Sequence, residues 1–87
     1  KIGGKEFHRV RQEIVFATKG RIKWMCKDMF GNKREFVLTP NGVCVYVPPF
    51  ILHTYEALEE SDLVVIANTL FDPNNKKTQD TYPPEFL

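Results

Sequence analysis

Gly42-Val43-Cys44-Val45-Tyr46-Val47-Pro48-Pro49-Phe50-Ile51-Leu52-His53 carries the fold: a strand, a corner and a second strand. Residues 43–47 are apolar or β-favouring and are predicted as a strand. Two prolines end it, because neither can donate to a sheet ladder, and they set a rigid corner. A strand over about 52–58 leaves that corner with His53 near its start. Tyr55, two residues on, shares the face of His53.

Short apolar runs alternate with turn signals on both sides of this stretch. Further strands are predicted at about 12–18, 21–27, 34–39 and 62–69. Lys19-Gly20, Asp28 to Lys33 with Gly31-Asn32, Pro40-Asn41-Gly42 and Glu59-Glu60-Ser61-Asp62 supply the turns. The expected class is all-β, a small antiparallel barrel. In 21–27, Arg21, Lys23 and Lys27 share one face while Ile22, Trp24 and Cys26 share the other. The runs 13–17 and 43–47 are apolar on both faces. One barrel layer covers a single face, so the other is expected to meet a second sheet or a second copy, and a homodimer is expected.

Eighty-seven residues make one domain. The chain opens on Lys1-Ile2-Gly3-Gly4 without a methionine, so a preceding native segment is expected. The tail from Phe71 to Leu87 is polar and loop-like at first. Pro83-Pro84 is expected to preclude a helix there, and Phe86 and Leu87 are expected to pack back on the barrel. A hydrophobic content of 43% excludes a disordered chain. A net charge of +1 gives no case for nucleic acid. There is no apolar run of membrane-spanning length and no secretory signal. Cys26 and Cys44 lie in apolar stretches and are expected as buried free thiols, which points to a reducing, cytoplasmic setting.

Both histidines stand in frames with carboxylates. Glu13 heads an otherwise apolar strand, and a buried carboxylate must be paired, bind a metal or take up a proton. Glu6 and His8 are two apart and point the same way in extended chain. Glu6, His8, Glu13 and His53 are therefore the candidate metal ligands, suited to zinc, manganese, iron or nickel. His8, His53 and Tyr55 are the candidate acid/base residues. Lysines and arginines crowd the first third of the chain. Arg9 and Arg11 are candidate binders of an anionic substrate, and Trp24 could stack on a ring. The plain alternatives are solvated strand faces for the basic residues and a core position for Trp24.

Gly4, His8, Glu13 and Gly20, followed by Gly42, Pro48 and His53, resemble the two conserved segments of the cupin superfamily. Val45 to Pro49 and Tyr82-Pro83-Pro84-Glu85-Phe86-Leu87 are similar to nucleotide-linked 4-keto-6-deoxyhexose 3,4-ketoisomerases. Gly4 to Glu13, Ala67 to Pro73 and Asp80-Thr81-Tyr82 are similar to the metal-binding cupin domain of capsular-polysaccharide enzymes. Glu6 stands where the first histidine of the superfamily motif is usual. The ketoisomerase branch usually has glutamine at the place of Glu13 and a non-ligand at that of His53. The ligand-like set here is thus closer to the metal-binding branch.

The resemblance implies a jelly-roll barrel and an isomerase or epimerase acting on a nucleotide-linked keto sugar, by proton transfer beside the carbonyl. In that scheme His8 is the base and Tyr55 or His53 the acid, while a divalent metal would polarise the carbonyl. Two other functions stay open, a metal-dependent oxygenase of a small molecule and a non-catalytic sugar-binding module.

Overall fold

β-Branched and aromatic runs, cut by Gly, Pro, Asn and Asp clusters, fold as seven strands. The computed structural model describes residues 2–69, 74 and 80–86. The strands are β1 Ile2–Glu6, β2 Glu13–Lys19, β3 Ile22–Lys27, β4 Lys33–Leu38, β5 Val45–Val47, β6 Leu52–Ala57 and β7 Asp62–Ala67. They form two antiparallel sheets, ordered β1-β6-β3-β4 and β5-β2-β7. The core lies between them. Val15, Ala17, Val45 and Val47 come from one sheet, and Ile22, Trp24 and Leu38 from the other.

The all-β jelly-roll expectation holds, with one correction. Among the described residues the two sheets do not pair into a closed barrel, so the architecture is a sandwich. Residues 39–44 carry the chain from β4 to β5 without pairing the two strands. Gly42 donates to the Thr39 carbonyl, and Asn41 takes φ 63°. That turn also shortens the predicted strand 43–47. Val43 and Cys44 lie outside β5 and are exposed, so Cys44 is free but not buried.

The strand β1 is absent from the sequence-based expectation, because Gly3-Gly4 and two charges hide it. It forms because the edge of β6 offers it a ladder. Ile2 pairs with Glu56, Gly3 with Tyr55, Gly4 with Thr54 and Glu6 with His53. Lys5 is an extra residue, a β-bulge between Gly4 and Glu6. A regular ladder would put Lys5 opposite His53. The bulge moves Glu6 there instead and turns its carboxylate inward. Gly4 permits this with φ 81°, and a side chain at that position would run into the His53 carbonyl.

In the tail, Tyr82 exchanges backbone hydrogen bonds with Phe7, and Pro84–Phe86 forms a short 3-10 turn. Proline is tolerated at the first position of such a turn, which is why the Pro83-Pro84 pair does not prevent it. Phe86 is 71% exposed rather than packed on the sandwich. Residues 71–73, 75–79 and Leu87, which the tail expectation also covers, lie outside the described residues. Among the described residues no helix is long and apolar enough to cross a membrane.

Candidate active site

Four ligand-type side chains meet at one end of the sandwich. Glu6 ends β1, His8 follows it, Glu13 begins β2, and His53 is the second residue of β6. The registers bring them together. Glu6 is opposite His53 across the β1–β6 ladder, while Glu13 lies on the facing sheet opposite Val47. His8, Glu13 and His53 are buried, and the Glu6 side chain is 37% exposed.

His8 Nε2 lies 3.5 Å from Glu13 Oε1. His53 Nε2 lies 3.6 Å from Glu6 Oε1 and 4.0 Å from Glu13 Oε1. Ligand atoms of Glu6, His8 and His53 all fall within 4.8 Å of one another. The two imidazole centroids are 5.1 Å apart.

The backbone determines which ring nitrogens face the cluster. His8 Nδ1 is 2.7 Å from the Asp80 carbonyl oxygen. A carbonyl only accepts, so Nδ1 carries the proton and donates. His53 Nδ1 faces the Ile51 carbonyl at 3.4 Å in the same sense. In the neutral form, both Nε2 atoms therefore aim bare lone pairs at the two carboxylates. His8 Nε2 is buried and has no hydrogen-bond partner.

Two lone pairs and two carboxylates facing one another repel unless a proton or a cation lies among them. A ligating imidazole held by a backbone carbonyl on its other nitrogen is a common arrangement at metal sites. The donor set, two nitrogens and two carboxylates, fits a divalent transition ion.

The ionisation equilibria show the same tension. Burial pulls the His8 pKa down, but the Glu13 carboxylate and the Asp80 carbonyl outweigh it, and the net shift is upward. Burial would raise the Glu13 pKa, but His8 leads the opposing effects and the net shift is downward. For His53 burial dominates. Glu13 and Glu6 only partly offset it, and its pKa falls.

The other candidates take different places. Tyr55 lies one inward position further along β6, its ring stacked on Trp24 at 5.9 Å. Its hydroxyl makes no hydrogen bond to the cluster. Trp24 is 1% exposed and stacks under His53 at 5.4 Å with planes 9° apart, so it forms the floor of the site. Its indole N–H is given to Cys26 Sγ. Arg9 leaves the cluster and lies over the Tyr82 ring at 5.7 Å. Arg11 donates to Thr69 Oγ1 and stands 4.0 Å from Glu13.

Asp80 is the residue that sequence reasoning missed. Its carboxylate accepts the backbone N–H of Arg9 and Val10 at 2.9 Å each and of Arg11 at 2.7 Å. Burial alone would raise its pKa; these N–H groups reverse the shift and hold it ionised. Asp80 thus pins the loop between His8 and Glu13 while its carbonyl orients His8. Its only sequence signal was its place in Asp80-Thr81-Tyr82, which carried a likeness but no role.

The sequence matches the family model described as WxcM-like, C-terminal (FdtA) over residues 1–82. No curated protein matches it. Among solved structures, the capsular polysaccharide assembling protein CapF of Staphylococcus aureus has TM-score 0.79 at 23% identity, over 95% of this chain and 23% of that one. QdtA, a sugar 3,4-ketoisomerase of Thermoanaerobacterium thermosaccharolyticum in complex with TDP, has TM-score 0.78 at 18% identity, over 94% and 56%. WlaRA, a TDP-fucose-3,4-ketoisomerase of Campylobacter jejuni, has TM-score 0.75 at 22% identity, over 90% and 56%. The chain thus spans about a quarter of CapF and just over half of each ketoisomerase.

Proposed function

The chain belongs to the WxcM-like, C-terminal (FdtA) family and has a cupin fold, and from that premise we propose that it isomerises or epimerises a nucleotide-linked keto sugar. The observation that carries the proposal is the buried convergence of Glu6, His8, Glu13 and His53 at one end of the sandwich. Two ketoisomerases of similar fold and a capsular polysaccharide assembling protein support the substrate class and a role in surface-polysaccharide synthesis. A cytoplasmic location accords with that role and with two unpaired cysteines.

A C–H bond beside a ketone is acidic because its electron pair delocalises onto the carbonyl oxygen. Removing that proton gives an enolate. Moving the adjacent hydroxyl proton to the former carbonyl oxygen and returning the abstracted proton to the former carbonyl carbon shifts the keto group; returning it to its own carbon on the other face inverts the centre. Opposed pKa shifts at two adjacent imidazoles divide the work. His53, held neutral by burial, is the base. His8, whose pKa the Glu13 carboxylate raises, donates toward the oxygen. This reverses the roles expected from the sequence, where His8 was the base, and it leaves Tyr55 beneath the site.

The same four side chains would hold a divalent cation, and the unpartnered Nε2 of His8 favours that state. Such an ion would polarise the carbonyl and stabilise charge on its oxygen.

The test is proton exchange. TDP-4-keto-6-deoxyglucose is incubated with the protein in deuterated water, as isolated and after chelation. Deuterium is expected beside the carbonyl, with at least a 100-fold loss of rate in His53→Ala. No label with either preparation overturns the proposal. Stoichiometric metal whose removal abolishes exchange favours the metal-holding form. Stoichiometric iron with oxygen uptake and no exchange favours the oxygenase alternative.

A further inference from the structure

The hairpin between β3 and β4 carries an apolar apex. Met29 is 52% exposed and Phe30 83%, the most exposed large hydrophobic residue among those described. The turn that holds them is closely tied. The Asp28 carboxylate accepts the backbone N–H of Phe30 at 2.8 Å and of Asn32 at 2.9 Å, and also the Asn32 side-chain amide at 2.9 Å. The Asp28 N–H donates to the Asn32 carbonyl at 3.0 Å, and Gly31 donates to the Asp28 carbonyl at 3.2 Å. These bonds fix the backbone while Phe30 stays in water.

Behind the apex stand uncompensated cations. Lys27 and Lys33 are directly opposite each other in the ladder, and Arg34 follows, opposite Cys26. Like charges facing each other across a ladder destabilise it. All three residues are exposed, and among the described residues none has a carboxylate within ion-pair distance. Other cations of the chain are matched: Lys19 by Glu60, Arg21 by Glu59 and Lys23 by Glu35. Asp28 is the one acid in 27–34, and the turn occupies it. Lys27, Lys33 and Arg34, with Met25 and Leu52, line a hollow of about 290 Å³ in which the one acid, Glu35, faces Lys23.

The hairpin rises from the site's end of the sandwich. Glu6 pairs with His53, His53 with Cys26 and Cys26 with Arg34, so the row that carries the site stands one residue from the Lys27–Lys33 pair.

We infer that this hairpin docks the chain on an anionic lipid bilayer, with Phe30 and Met29 entering the acyl boundary and Lys27, Lys33 and Arg34 meeting the headgroup phosphates. Charge complementarity requires an anionic partner, and the order along the hairpin selects a bilayer. Apolar side chains lead and cations follow, as hydrocarbon lies beneath phosphate in a leaflet. A soluble polyanion offers the apex no apolar medium. A peripheral contact of this kind needs no membrane-spanning segment. The inference is independent of the sugar-nucleotide reading, and docking brings the end that holds Glu6, His8, Glu13 and His53 to the membrane surface.

Sedimentation of the full chain with vesicles tests this, using phosphatidylcholine alone and its equimolar mixture with phosphatidylglycerol. Binding is expected to the mixed vesicles only, and it should weaken with salt. Lys27→Gln with Lys33→Gln should weaken it about 10- to 30-fold. Lys19→Gln with Arg21→Gln removes equal charge from the far end of the sandwich and should change it less than about two-fold. Phe30→Ala should weaken it about 10-fold. Phe30→Trp should bind with a blue shift in emission that the unaltered protein, whose Trp24 is in the core, does not show. The free Lys27→Gln, Lys33→Gln variant should keep or raise its Tm, because the substitutions relieve repulsion; a lower Tm would assign the pair to the fold and remove the argument from charge. No binding to the mixed vesicles, or equal losses in the two double variants, overturns the inference. Undiminished binding by Phe30→Ala, or no blue shift in Phe30→Trp, overturns the bilayer in favour of a polyanionic partner.

Discussion

His8 and His53 are two imidazoles of the same chain with opposite fates, and their immediate neighbours decide them. A raised pKa at His8 stabilises the fold fully below its ordinary value of 6.5, and that contribution is lost as pH rises through the folded value. A lowered pKa at His53 acts in reverse, so stability is lost as pH falls from 6.5 through its folded value. Glu13, lowered from 4.5, contributes above that value and loses its contribution as pH falls through the folded one. In the metal-free protein, imidazole NMR signals are expected to titrate apart, with His8 at the higher pH. Glu13→Gln should lower both midpoints, that of His8 the more because Glu13 stands nearer to it; unchanged midpoints would refute the coupling. Asp80→Asn gives a second test at this scale. Asparagine lacks the charge and one of the two carboxylate oxygens that serve three N–H groups. Urea unfolding should show a loss of about 1–3 kcal/mol. A loss below about 0.5 kcal/mol would mean that the 8–12 loop does not depend on Asp80.

At the scale of the element, the bulge in β1 matters most. One additional residue, Lys5, exchanges a cation for a carboxylate opposite His53. Gly4→Ala forces an L side chain into φ 81° and against the His53 carbonyl. It should cost about 1–3 kcal/mol and weaken zinc binding by displacing Glu6. Gly31→Ala is the control. Its φ is 88°, but nothing lies within 4 Å, so it bears the conformational cost without the clash. If both variants bind zinc alike, the bulge does not position Glu6. The strands β2, β3, β6 and β7 were legible from alternation and punctuation, to within about two residues at each end. β1 was not, because Ile2-Gly3-Gly4-Lys5-Glu6 has no alternation of its own and becomes a strand only by pairing with β6.

Across the whole molecule, the outer face of the β5-β2-β7 sheet is the unresolved demand. Tyr46, Ile14 and Ile66 form a row across it, 57%, 43% and 55% exposed, beside half-buried Phe16 and Val64. The double-sided apolar pattern of the sequence is therefore present in the fold with one side bare. We propose that a second copy covers it, as isologous pairing allows. Sedimentation equilibrium should return twice 10.1 kDa for the chain and a monomer for Ile14→Lys with Ile66→Lys. A monomeric unaltered chain would remove the proposal. Bound divalent metal is expected to raise Tm, because it binds the folded cluster and not the dispersed ligands. Chelation without any change in Tm would argue against a resident ion.

The all-β class, the turns and the ligand types follow from local chemistry. Alternation, proline and glycine act within a few residues, and the intervals around His8, Glu13 and His53 are countable along the chain. Which side chains actually face one another is a long-range matter. Asp80 reaches the 8–12 loop from about seventy residues away, and Arg34 joins the row of Glu6 and His53 only through three ladders. Register, bulge and the gap between β4 and β5 arise from pairing between distant strands. No local pattern encodes that pairing, so only the tertiary structure decided it.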